Sequence, residues 1–110
     1  MNVTIRYIGK SAEDLRFFIS ADGEHAGGVT VHSMSGASFS YGVAIAREKR
    51  NRGVAKAALP LFYEEMKARG FVLARVEIVA ENAASLALHT TLGFRRTAQE
   101  AGIVRMEKEI

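Results

Sequence analysis

The sequence predicts an α/β (α+β) domain built as a mixed, mainly antiparallel sheet with two packed helices. Three observations predict it. The first third alternates apolar and polar residues in strand-length runs, interrupted at Asp22-Gly23 and Ser35-Gly36. Two later segments, residues 57–69 and 83–92, repeat apolar side chains at helical spacing. Between and after them lie strand-length runs over 71–80, 94–98 and 103–109.

Each element has a local reason. Residues 3–8 alternate like a half-buried strand, with Gly9-Lys10-Ser11 read as a break, and residues 15–20 form the second run. Asp-Gly between such runs is a strong hairpin signal, so residues 24–34 return as the third strand. Gly27-Gly28 inside it predicts a bulge or a close backbone approach. Residues 37–46 make the fourth strand and complete an antiparallel meander. Only residues 11–14 separate the first two runs, too few for a helix.

In the first helix Leu59, Phe62 and Met66 share a stripe that Ala55 and Ala58 adjoin. Gly70 after Lys67-Ala68-Arg69 is a helical stop with a basic last turn. Pro60 lies inside and predicts a kink over 56–60 rather than a break. The strand over 71–80 carries Arg75 and Glu77 on one face. Asn82 is suited to cap the second helix, Gly93 ends it, and the last two runs close a hairpin across Glu100-Ala101-Gly102.

Composition narrows the function. A chain of 110 residues makes one domain, 1–110, with a modest core. Its 48% hydrophobic and 25% charged residues are ordinary for a globular protein. No apolar run approaches the ~20 residues that span a bilayer, and Met1 to Arg6 lack the apolar core of a secretion signal. Cysteine is absent, which removes both disulfides and a thiol nucleophile. A cytoplasmic location is the expectation, and any acyl transfer should be direct.

The net charge of +3 is mild and partly local, with Arg47, Lys49, Arg50, Arg52 and Lys56 close together and Glu48 among them. A basic loop alone is most often a solvated turn. No recognition-helix, RNP-like or zinc-finger pattern accompanies it, which argues against nucleic acid. His25 and His32 lie on a strand without acidic or histidine partners at ligand spacing, so no metal site is expected.

The informative stretch is Arg50-Asn51-Arg52-Gly53-Val54-Ala55, set between a strand and a helix. The first N–H groups of a helix have no internal partner, and the helix dipole adds partial positive charge there. Gly53 and Ala55 carry almost no side chain, so a phosphate can approach the backbone. A second segment runs Asn82-Ala83-Ala84-Ser85-Leu86-Ala87-Leu88-His89-Thr90-Thr91-Leu92-Gly93-Phe94. Ser85 and His89 lie four apart on one helix face.

Together the two segments resemble the GNAT superfamily of N-acetyltransferases. Arg50, Gly53 and Ala55 match its acetyl-CoA loop, (Gln/Arg)-x-x-Gly-x-(Gly/Ala), and Asn82, Ser85, Leu88, Gly93 and Phe94 match its later segment. The resemblance covers residues 41–94 and implies a GNAT-like fold that transfers acetyl from acetyl-CoA to a primary amine. It implies that the N–H groups of Arg52, Gly53, Val54, Ala55 and Lys56 hold the pyrophosphate, with charge from Arg50 and Arg52 beside Asn51. Val43, Ala44 and Ile45 would run along the pantetheine arm, an N–H near Ile45 would face the thioester carbonyl, and Asn82 and Ser85 would complete the coenzyme site.

Two departures stand out. His89 occupies the place of the family's tyrosine, which protonates the departing thiolate, and an imidazole can do the same. The helices that normally wall the acceptor side are missing, so that side is either open or completed by a second copy of the chain, a homodimer. Glu77, and less so Tyr41, are candidate bases for the amine, with bulk solvent as the alternative. Two rival readings are a coenzyme A-binding module without chemistry and a small basic nucleic-acid binder.

Overall fold

The computed structural model describes residues 1–11 and 14–110. Its strands are β1 (Val3–Ser11), β2 (Asp14–Ala21), β3 (Glu24–Ser35), β4 (Ser38–Ile45), β5 (Leu73–Val79), β6 (Arg95–Glu100) and β7 (Ile103–Glu109). The helices are α1 (Val54–Ala68), between β4 and β5, and α2 (Ala83–Thr91), between β5 and β6. All the strands join one sheet in the order β1-β2-β3-β4-β5-β7-β6. Every neighbouring pair is antiparallel except β4 and β5, which run parallel. The mixed, mainly antiparallel sheet with two helices matches the fold class expected.

Turn chemistry sets the hairpin registers. Asp22 and Gly23 both take positive φ, 51° and 81°, the geometry that matches the twist of a two-residue hairpin. Ala101 and Gly102 repeat it at 52° and 78°. At Gly27 a Cβ would lie 2.1 Å from the Ala44 carbonyl oxygen, so the close approach signalled by the glycine pair is real.

Two boundaries differ from the sequence reading. Gly9 does not end β1: it takes φ 111°, the register slips between Tyr7 and Gly9, and pairing resumes through Ser11. Helix α1 begins at Val54, not residue 57, so Val54, Ala55 and Lys56 form its first turn. It then runs through the exposed Pro60 without a break. The short link over 11–14 pairs Ser11 with Asp14, and residues 12 and 13 lie outside the described residues.

The core lies on one face of the sheet. Leu59, Phe62 and Met66 of α1 are fully buried, as the stripe predicted, against Phe17, Ile19, Val29, Val31 and Phe39. Tyr41 touches Phe62 and Tyr63 from α1 and His89 from α2. Both helices therefore occupy the Tyr41 face. By strand alternation the opposite face presents Phe18, Thr30, Ser40, Gly42, Arg75, Glu77, Arg105 and Glu107, none of them buried. No described helix covers it.

Candidate active site: a helix-start cradle beside a forked sheet

The loop after β4 makes a single turn (Arg47–Lys49) and reaches α1 through two left-handed residues, Asn51 at φ 61° and Gly53 at φ 78°. Gly53 is the N-cap of α1 and offers no side-chain acceptor. The first internal bond of the helix is Ala57 N–H to Gly53 C=O, 3.1 Å. Among the described residues, no acceptor meets the N–H groups of Arg52, Gly53, Val54, Ala55 or Lys56. The first turn contains no acidic side chain, so nothing offsets the positive end of the helix dipole. Helix α2 is the contrast, because Asn82 Oδ1 accepts the Ser85 N–H at 3.1 Å and caps it.

The surrounding cations divide into two sets. Lys49 Nζ is 2.6 Å from Glu24 Oε1, and this hydrogen bond and charge hold the Glu24 carboxyl below its ordinary value. Arg50 Nε donates to the Ile45 carbonyl at 2.9 Å and pins the loop to the end of β4. Arg47, Arg52 and Lys56 have no ion-pair partner among the described residues.

Beside this loop the sheet forks. Strands β4 and β5 pair only from Ser38↔Leu73 to Ser40↔Arg75. Beyond that point β4 stays with β3 and β5 stays with β7, leaving two unpaired strand edges facing each other. Ala46 N–H bonds the Ala26 carbonyl on β3 at 2.7 Å. By alternation, the N–H groups of Val43 and Ile45 point the other way, into the fork. An open strand edge of this kind is a template for an extended ligand.

A cavity of about 630 Å³ joins cradle to fork. It is lined by Val43, Ala44, Ile45, Arg50, Asn51, Gly53, Val54, Ala55, Lys56, Asn82 and Ser85; of the residues expected to hold the coenzyme, only Arg52 is not on its wall. A second cavity of about 230 Å³ continues between the strands, sharing Val43, Asn82 and Ser85 and reaching Tyr41, Gly42, Glu77 and His89.

His89 sits at the floor of the fork, 2% exposed. Its Nδ1 lies 2.8 Å from the Ser85 carbonyl oxygen and its Nε2 lies 3.1 Å from the Tyr41 hydroxyl. A carbonyl only accepts, so Nδ1 carries the proton. Burial lowers the pKa of His89, against the opposing effect of its bond to Ser85, so the ring is neutral and Nε2 accepts from Tyr41. Tyr63 in turn donates to Tyr41 across 2.5 Å. Burial foremost, then Tyr63, raises the Tyr41 pKa far above its ordinary value, so Tyr41 stays protonated. This buried chain joins β4, α1 and α2 and had no sequence signal.

Glu77 reaches the second cavity from the uncovered face of the sheet. Its Oε2 accepts from Arg105 Nε on β7 at 3.1 Å.

The fold and site thus define an α/β protein with a groove that runs from an open helix start into a forked sheet. The chain belongs to the acetyltransferase (GNAT) family, whose model matches residues 3–94. That membership places it among the acyltransferases. A comparison with curated protein sequences gave no significant match.

Solved structures share the fold at low identity. An IAA acetyltransferase from Bacillus cereus is 18% identical with a TM-score of 0.84, covering 99% of this chain and 100% of its own. The ribosomal-protein-S18-alanine N-acetyltransferase from Escherichia coli is also 18% identical, with a TM-score of 0.81 and coverages of 99% and 94%. The PaiA N-acetyltransferase from Thermoplasma acidophilum, solved with coenzyme A, is 17% identical with a TM-score of 0.79, covering 88% and 61%.

Proposed function

We propose that this chain transfers an acetyl group from acetyl-CoA directly to a primary amine. One observation carries the reading: successive main-chain N–H groups from Arg52 to Lys56 stand without an internal acceptor at an uncompensated helix start. Such a start binds phosphate. Arg52 and Lys56 add charge to the pyrophosphate site, and Arg50 keeps the loop in place. The pantetheine arm enters the fork and pairs with the edge of β4 at Val43 to Ile45, flanked by Asn82 and Ser85. The Ile45 N–H then faces the thioester oxygen and stabilises negative charge as it develops there.

The neutral amine attacks the carbonyl carbon, the C–S bond breaks, and the thiolate takes a proton from the attacking nitrogen or from water. His89 has its one N–H on the Ser85 carbonyl, so its proposed role is narrower than that of the family's tyrosine. It holds Tyr41 and the floor of the fork in place. Glu77, at the rim with Arg105, is proposed to attract a cationic amine. The chain works as one domain, 1–110, in the cytoplasm, where it would meet acetyl-CoA. The uncovered sheet face leaves room for a homodimer to complete the acceptor side.

A coenzyme-binding module without turnover is the second reading, favoured by the committed His89 proton. Calorimetry and thiol release separate the readings. Gly53→Glu should abolish coenzyme A binding while circular dichroism stays native, and unchanged affinity would refute the cradle. His89→Ala should lower turnover more than coenzyme affinity, whereas a wild-type chain that binds acetyl-CoA but turns over no amine supports the module.

A further inference from the structure

The uncovered face of the sheet holds a histidine in an unusual position. In the β3–β4 ladder Val31 pairs with Tyr41 and Ser33 pairs with Ser40, so His32 is the extra residue of a bulge. Bulges re-aim a side chain and are common beside active sites. Here the imidazole reaches over the neighbouring strand, where a Cβ on Gly42 would lie 2.8 Å from its Nε2. Gly42 has no positive φ to explain it. Its missing side chain is the space the ring occupies.

Gly42 is also a wall of the fork, next to Val43, and it lies just past the last β4–β5 pair at Ser40↔Arg75. Tyr41 points to the helices, so Gly42 and the ring above it belong to the opposite face. The coenzyme reading brings acetyl-CoA in from the α1 start, which leaves the uncovered face for the acceptor. His32 is exposed there. The nearby carboxylate, Glu77, is already committed to Arg105.

We propose that His32 is the general base for the acceptor amine, held at the fork's outer rim by the β3 bulge and the bare Cα of Gly42. This rests on the acetyl-transfer reading above. In the step, Nε2 of His32 takes one proton from the acceptor ammonium through an intervening water. The freed nitrogen lone pair forms the N–C bond to the acetyl carbonyl, and the C–S bond breaks. The thiolate then takes the second nitrogen proton, and His32 returns its proton to solvent. The balance is one ammonium and one thioester giving one amide, one thiol and one released proton, with no need for an acid at His89.

The test measures thiol release from acetyl-CoA by the full chain with water, phenethylamine and spermidine as acceptors, beside calorimetric binding of acetyl-CoA. His32→Gln should keep acetyl-CoA affinity within about twofold and slow release on the order of 100-fold. Gly42→Ala, which leaves the imidazole present but displaces it, should slow release similarly. His25→Gln, on the same strand, should match the wild type. Unchanged release by His32→Gln overturns the assignment, and so does a wild-type chain that binds acetyl-CoA yet releases no thiol with any acceptor. Failure to bind acetyl-CoA overturns the underlying transfer reading, and this assignment with it.

Discussion

At the scale of single residues, Gly53 and His89 have the most measurable consequences. Gly53 takes φ 78°, and a Cβ there would meet nothing within 4 Å. A side chain at this position therefore costs only the left-handed conformation, about 1–2 kcal/mol, while its atoms project into the cradle. Gly53→Ala should lose roughly that stability in urea unfolding and weaken coenzyme A binding less than Gly53→Glu does. For His89 the pH sign follows from burial. Its folded pKa lies below its unfolded value near ~6.5, so its contribution to stability is complete above that value. It falls as pH drops through the folded pKa, because the unfolded chain gains the proton first. Thermal melts from pH 7.5 to 5 should steepen downward in the wild type and flatten in His89→Gln. Equal slopes would show that the ring is not buried neutral.

At the scale of elements, much was legible because the cues are local. Asp22-Gly23 announced its hairpin through the backbone that Gly and Asp tolerate, and the Leu59–Phe62–Met66 stripe named the buried side of α1. Asn82 announced the start of α2, and Asn82→Ala should cost about 1 kcal/mol, read in urea unfolding. Gly9 misled, because a glycine that ends a strand and one that bulges it look alike without the partner strand. The fork was not legible either. Where β4 leaves β5 depends on the register of two strands more than thirty positions apart, and nothing in Ser40 or Arg75 marks them as the last pair. The Tyr63–Tyr41–His89 chain was hidden for the same reason, since each residue is locally an ordinary core position. Pro60 leaves Lys56 C=O without its usual helical donor, so Pro60→Ala should raise the melting temperature, with a gain of up to ~3 kcal/mol.

At the scale of the whole molecule, the chain places a capped helix and an uncapped one on one face of a sheet and leaves the other face open. The short link over 11–14 already implied that openness, because it leaves no length for covering helices. If the open helix start is a ligand site, occupancy must stabilise the fold by mass action. Coenzyme A at a hundredfold excess over its Kd should add ~2.7 kcal/mol, seen as a rise in melting temperature of roughly 10 °C. Gly53→Glu should abolish that rise. The most direct test of the cradle is a titration of the 15N-labelled chain with coenzyme A, followed amide by amide. The amides of Arg52 to Lys56 should move together and furthest, with Val43 and Ile45 following at the edge of the fork. The cradle is contradicted if coenzyme A binds while those amides stay still and the shifts gather elsewhere.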